Sequence, residues 1–214
     1  MATLFIVDDD PEVCRALGRL LRTAGYDTRA YGSARQFLIE HEPERAGCLI
    51  LDLAMPGLSG LELQEYLSAS GCRRPIIFLT GNGDIPHTVR AMKAGAVNFL
   101  TKPVDNRELF AAVEEALAID AAARAEESAR NSVEERVARL TFRERQVLQR
   151  VVCGLLNKQI AAEFGVREKT IKVHRARMMQ KMRAGSLPEL VQLAQLAGIN
   201  VKPALLPTPG RLPH

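Results

Sequence analysis

The feature that most constrains this chain is an alternation of two hydrophobic periods. Short apolar runs lie at Leu4–Val7, Thr28–Tyr31, Cys48–Leu51, Ile76–Leu79 and Asn98–Leu100. Between and after them, segments with helical period cover Pro11–Thr23, Ser33–Ile39, Leu61–Ser68, Ile85–Lys93 and Asn106–Ala118. Strands separated by helices cannot pair as hairpins, so the pattern predicts a parallel sheet covered by helices on both faces. Pro11 stands where a first helical turn tolerates proline, and Gly25 and Gly95 stand where helices should stop.

A chain of 214 residues has room for two such modules, each with its own core. Its charge is divided accordingly. Residues 1–120 carry 12 Lys and Arg against 17 Asp and Glu, a net −5, whereas residues 121–214 carry 17 against 8, a net +9. An acidic module joined to a basic one suits cation binding in the first and nucleic-acid binding in the second. Cys14, Cys48, Cys72 and Cys153 form no paired C-x-x-C and have no partner histidines at ligand spacing, which predicts buried thiols in a reducing compartment. The run Leu4–Val7 is too short for a signal peptide and no stretch has the length of a membrane span, so a cytoplasmic protein without a membrane partner is expected.

Residues 119–138 are rich in Ala, Glu and Arg without Gly or Pro, and are expected to prolong the fifth helix as a semi-rigid connector. Val133, Val137 and Leu140 make too short a heptad run to favour a coiled-coil seam over a solvated helix. Four helical patterns follow, at Phe142–Cys153, Lys158–Glu163, Glu168–Met182 and Pro188–Leu196. Beyond Gly198 the recurring prolines suggest a disordered tail.

Ligands of an open parallel sheet bind at the carboxyl ends of its strands. Here the first run ends in Asp8, Asp9 and Asp10, the third in Asp52, the fourth in Thr80, and the fifth runs into Lys102. Carboxylates gathered on one rim repel each other and take up protons unless a cation compensates them. Phosphoryl transfer to a carboxylate fits such a site. Asp52 is then the nucleophile, and Asp8 and Asp9 hold Mg²⁺ or Mn²⁺. Lys102 neutralises phosphoryl oxygens and Thr80 donates to one of them. Asp10, just ahead of Pro11, can serve simply as a helix cap.

The segments IVDDD, LDLAMPG, LTGNGD and FLTKP, in this order, resemble the receiver domain of two-component response regulators. The resemblance implies a five-stranded parallel α/β sheet in the flavodoxin-like order 2-1-3-4-5, with a sensor histidine kinase donating phosphate to Asp52. It also implies metal ligation by Asp8, Asp9, Asp52 and the carbonyl of Ala54, a switch formed by Thr80 and Phe99, and a cis peptide before Pro103. Ala54 departs from relatives that carry a longer polar side chain there, which leaves the lifetime of the acyl phosphate open. The rival reading, a phosphatase of the haloacid dehalogenase type, finds its D-x-D in Asp8-Asp9-Asp10 but meets Glu12 where Thr or Val is required.

In the basic half, Ala161, Gly165 and Ile171 take the small, turn and apolar positions of a helix-turn-helix, with Ile160, Phe164, Val166 and Val173 completing its core. Between Arg167 and Arg183 stand seven basic residues and one acid. That density favours the phosphate backbone of double-stranded DNA. The stretch resembles the LuxR-type domain of the NarL/FixJ regulators, and IPHTVRAMKAGAVNFLTKPV is most similar to the FixJ subgroup. By that resemblance Lys172 and Val173 approach bases, while Lys158, Thr170 and His174 grip the backbone. Charge and helical spacing add Lys169, Arg175 and Arg177. The last helix has an apolar stripe at Leu187, Leu190, Val191, Ala194 and Leu196 that either fills the domain core or pairs two such domains.

The expected organisation is a receiver over 1–119, a long helical linker over 120–138, an all-α four-helix helix-turn-helix domain over 139–199 and a tail over 200–214. The expected function is a transcription factor that dimerises on phosphorylation, binds a pseudo-palindromic operator and meets RNA polymerase there. It is not a conventional enzyme, being limited to self-catalysed phosphotransfer and dephosphorylation. The alternatives are a degenerate receiver that regulates without phosphate and a module acting through protein contacts alone.

Overall fold

In a computed structural model, the chain is described over residues 2–81 and 85–200, and it divides into two compact units, Met1–Arg124 and Ala125–His214. Residues 82–84 of the LTGNGD segment, and the expected tail from residue 201 onward, lie outside the described residues.

The first unit contains β1 (Thr3–Val7), β2 (Asp27–Tyr31), β3 (Gly47–Asp52), β4 (Ile76–Thr80) and β5 (Asn98–Thr101), all parallel, in the order β2-β1-β3-β4-β5. Between them run α1 (Pro11–Thr23), α2 (Ala34–Glu40), α3 (Gly60–Ala69) and α4 (Ile85–Lys93), and α5 (Asn106–Ala138) follows β5. Every residue of β1, β3 and β4 is buried, as expected of inner strands with helices on both sides. Successive side chains leave a strand on opposite faces, so these runs feed two separate cores. Phe5, Leu49, Leu51 and Phe78 pack with residues of α2, α3 and α4. Leu4, Ile6, Ile50, Ile77 and Leu79 pack with residues of α1 and α5.

Helix starts are set by local chemistry. Asp10 accepts from the Glu12 amide at 2.8 Å, with Pro11 in the first turn. Ser59 and Glu62 form a reciprocal capping box at the head of α3. Gly60 must be glycine for a different reason, because a Cβ there would lie 2.3 Å from the carbonyl oxygen of Asp52.

The loop between α2 and β3 is held by contacts that no sequence pattern announces. Asp120 of α5, only 6% exposed, accepts from the Gly47 amide at 2.8 Å. Arg124 binds both oxygens of Asp120 and donates to the carbonyls of Glu44 (2.8 Å) and Arg45 (2.9 Å). Beside it, Arg74 stacks over the Phe5 ring at 3.9 Å and donates to the Glu42 carbonyl at 2.7 Å. The four cysteines are free thiols, and burial pushes that of Cys48 up to about 12.

The second unit contains α6 (Phe142–Val152), α7 (Asn157–Phe164), α8 (Glu168–Met182) and α9 (Leu187–Leu196). Val147, Leu148, Ile160, Ile171, Met178, Met182, Leu190 and Ala194 form its core. Val133 and Leu140 are buried in that core and Val137 packs against it, which corrects the expectation of a solvated helix at these positions. Val166 (39% exposed) and Val173 (42%) do not complete the core as expected. Val173 sits about 200° around α8 from the buried Ile171, at 100° per residue. The α9 stripe is likewise divided, with Leu190 and Ala194 buried while Leu187 and Leu196 are exposed. The turn from α7 to α8 uses Gly165 in the left-handed region at φ 66°. Thr141 and Glu144 cap α6, and the buried Glu144 carboxylate is paired with Lys181 at 2.6 Å.

Replacing Asp120 by Ala leaves the buried Gly47 amide without its acceptor and should lower the stability of the first unit by about 1–3 kcal/mol. Amide exchange at Gly47 should accelerate and the first unfolding transition should move to lower denaturant, whereas Glu114→Ala, on an exposed part of α5, should leave both unchanged.

Candidate functional site

Strand register assembles the acidic rim. Val7 pairs with Leu51, Asp52 with Leu79, and Thr80 with Thr101. The residues that follow or end these strands, Asp8, Asp52, Thr80 and Lys102, therefore meet on one line at the carboxyl edge of the sheet. They line a cleft of about 1020 Å³ together with Asp9, Asp10 and Ala54.

Asp8 and Asp52 are 2% and 5% exposed and Thr80 is 3% exposed. The Lys102 ammonium donates to Asp8 Oδ2 at 2.6 Å and to Asp52 Oδ1 at 2.7 Å, bridging two carboxylates from neighbouring strands. The second oxygen of Asp52 accepts from the Ala54 amide at 3.0 Å. Lys102 is itself fixed by its backbone, its N–H donating to the Thr80 carbonyl at 2.7 Å, and the Lys102–Pro103 peptide is cis, as the resemblance implied. Burial pushes the Asp52 carboxyl above the ordinary aspartate range, against the opposing hold of Lys102. Lys102 is raised in turn, because its bonds to Asp52 and Asp8 outweigh its own burial, and so it keeps its proton.

The other acids differ in kind. Asp9 is exposed at the cleft wall, with its carboxylate accessible to an incoming ion. Asp10 is committed to capping α1, which removes the second aspartate that a D-x-D phosphatase would need. No three Asp, Glu, His or Cys side chains among the described residues already converge as a metal cage. The donor set nevertheless fits Mg²⁺, which commonly binds one or two carboxylates and keeps several waters. Phe99 is half-buried and its ring lies 6.2 Å from that of Phe78, against the same core that carries α3 and α4.

Among the lining residues that escaped sequence reasoning are four polar or charged side chains, Glu62 and Glu65 of α3, and His87 and Arg90 of α4. Helical period places His87 and Arg90 on one face of α4. Only the fold determines that this face meets the cleft.

In the second unit, Lys169, Thr170, Lys172, Val173 and Arg177 are exposed on α8, and Lys158 is exposed near the start of α7. Lys172 makes an i,i+4 ion pair with Glu168 at 3.2 Å. His174 and Arg175 are half-buried. Arg175 donates to the Asn157 side chain at 3.1 Å and so links α8 to the first residue of α7. The exposed members form a cationic surface on a helix that follows a glycine turn, the geometry with which such helices enter a DNA groove.

Comparison with known proteins agrees with both halves. Residues 4–114 match the family model described as response regulator receiver domain, and residues 138–194 match that of bacterial regulatory proteins, luxR family. The chain is 45% identical to the transcriptional regulatory protein FixJ of Azorhizobium caulinodans, over 91% of this chain and 92% of that one. It is 44% identical to nodulation protein W of Bradyrhizobium diazoefficiens, over 93% and 88% respectively. Among solved structures, the response regulator StyR matches with a TM-score of 0.84 and 48% identity, covering 91% of this chain and 98% of that one. Full-length FixJ from B. japonicum matches with a TM-score of 0.56 and 40% identity over 93% and 98%. The chain therefore belongs to the FixJ-like response regulators, transcriptional regulators in which a receiver domain is joined to a LuxR-type helix-turn-helix that binds DNA.

Proposed function

We propose that Asp52 accepts a phosphoryl group from a sensor histidine kinase in the cytoplasm, and that the phosphorylated chain dimerises on a pseudo-palindromic operator and acts on RNA polymerase there. In this reading residues 1–119 receive the signal, 120–138 transmit it and 139–199 bind DNA. The observation that carries it is the Lys102 ammonium between Asp8 and Asp52, on a rim where Thr80 also stands. A carboxylate held this way has one oxygen on a cation and the other on an amide, and its charge is poorly compensated for its burial. Phosphorylation moves negative charge outward onto phosphoryl oxygens, where Lys102 and the Thr80 hydroxyl can meet it.

Asp8, Asp9, Asp52 and the Ala54 carbonyl are the residues that would hold Mg²⁺ or Mn²⁺. A bound divalent ion supplies charge neutralisation at the transferring phosphoryl group. The chain's own part is to orient Asp52, and the same residues permit self-catalysed transfer and later hydrolysis. Thr80 and Phe99 form the switch that reports the phosphate, and the short Ala54 side chain leaves water a path to it. On DNA, Lys172 and Val173 address bases, while Lys158, Lys169, Thr170, His174 and Arg177 address the backbone. Arg175 acts through Asn157 rather than by a phosphate contact of its own.

Incubation with acetyl phosphate and Mg²⁺ should add an acid-labile phosphate mass at Asp52, and Asp52→Asn should abolish it; an unchanged gain in the variant overturns the assignment. The same substitution should stabilise the unphosphorylated protein near neutral pH. A carboxyl whose pKa is raised by folding binds protons more tightly when folded, so its contribution is lost as pH rises from the ordinary aspartate value through the raised one. The gain in Tm of Asp52→Asn should therefore shrink below about pH 4, where aspartate is protonated in both states.

Mg²⁺ at a hundred times its Kd should stabilise the wild type by about 2.7 kcal/mol in thermal melts. Asp9→Ala should lose that response without loss of basal stability, since Asp9 is exposed. For the second unit, the slope of log affinity against log salt on operator DNA should fall by about 1 in Arg177→Ala. Arg175→Ala should weaken binding with the slope unchanged.

A further inference from the structure

Among the described residues the cleft around Asp52 is lined by six carboxylates, those of Asp8, Asp9, Asp10, Asp52, Glu62 and Glu65. A phosphodonor brings about two more negative charges to it. Lys102, the cation at its floor, is bonded to Asp8 and Asp52. The guanidinium that lines the cleft is that of Arg90, and it lies at the rim. Its side chain is 60% exposed and bonded to Glu65 Oε1 at 2.6 Å, Glu65 being 53% exposed.

The backbone behind Arg90 is held independently of that ion pair. Gln64, 3% exposed, donates to the carbonyl of Ala91 at 3.1 Å, so two successive residues of α3 meet two successive residues of α4. The inner contact is buried and fixes the helix. The outer one is an exposed ion pair, weak in water and readily exchanged. A guanidinium offers a planar fork of donors that matches phosphate better than it matches a single carboxylate oxygen.

We infer that Arg90 captures the phosphoryl group of a small acyl phosphate at the mouth of the cleft, releasing Glu65, and guides it toward Asp52. Glu65 is the competitor that holds the guanidinium when no donor is present. The inference rests on the phosphoacceptor reading of Asp52. The step itself is a simple displacement. An Asp52 carboxylate oxygen forms a bond to phosphorus, the bond from phosphorus to the acyl oxygen breaks, and the carboxylate of the donor leaves with the electron pair. Arg90 takes no proton and forms no covalent bond.

The test measures the initial rate of Asp52 phosphorylation in the full chain with Mg²⁺, using acetyl phosphate and, separately, phosphoimidazole as a mimic of a phosphohistidine. Arg90→Ala should slow both donors about 5- to 10-fold at low ionic strength, with most of the difference gone near 1 M salt, as screening of a steering charge requires. Arg90→Lys should recover part of the rate, and Glu65→Gln should raise it about 2-fold through loss of the competitor. The melting temperature, its rise with Mg²⁺, and the label reached at saturating donor should equal the wild type in all three variants, which shows that each remains folded with its acceptor intact.

Equal rates in wild type and Arg90→Ala overturn the role of Arg90 while leaving Asp52 as acceptor. Slowing with acetyl phosphate but not with phosphoimidazole also overturns it, because the contact would then be to the acyl end. A wild-type chain that takes no label at Asp52 removes the underlying reading itself.

Discussion

The first unit is organised around a conflict of charge that Lys102 answers. Parallel pairing in the observed register forces the carboxylates after β1 and at the end of β3 to stand side by side with almost no access to water. Two such groups cannot both stay ionised at close range without a cation between them. The ammonium that provides it comes from the far side of the sheet, beyond β5, and reaches both acids at once. The order of the strands and the backbone bond of Lys102 to Thr80 both serve to bring that side chain in. Phosphorylation would change the charge this ammonium balances, so the contact that compensates the two buried acids is also the one a phosphoryl group would disturb.

The two units solve the same problem, a buried carboxylate, with different consequences. Glu144 in the second unit is as buried as Asp8, yet it caps its own helix, pairs with Lys181 and is held below the ordinary glutamate range by those bonds despite its burial. Asp52 also has one ammonium and one amide, but it shares the ammonium with the neighbouring Asp8, and burial pushes it upward. The first arrangement is a finished structural joint. The second leaves the carboxylate under-compensated, as functional sites commonly do.

Much of this was legible in the sequence because it follows from periodicity and from residues at strand ends. The five-fold alternation implies the sheet, and its carboxyl edge implies Asp8, Asp52, Thr80 and Lys102. What the sequence could not show were contacts between residues far apart with no repeating pattern. Asp120 reaches Gly47 across 73 positions and Arg124 reaches Glu44 across 80, and a charged pair on a helix otherwise looks solvated. Arg90 was invisible because period fixes which residues share a face but not what that face meets. Val173 misled in the opposite direction. A valine inside a helix suggests core, yet Ile171, Met178 and Met182 already fill the buried stripe of α8 and leave Val173 outside. Val133 and Leu140 were too few to mark a heptad seam, and they turned out to be core residues of the second unit.

Gly60 makes one position answer to two masters. Its missing side chain leaves room for the carbonyl of Asp52, so α3 and the end of β3 touch backbone to backbone. Saturation libraries at this codon should therefore return glycine alone, whichever trait is selected. A substitution meant to reshape the cleft must be sought on its open wall, because at this contact any side chain would displace the backbone that carries Asp52.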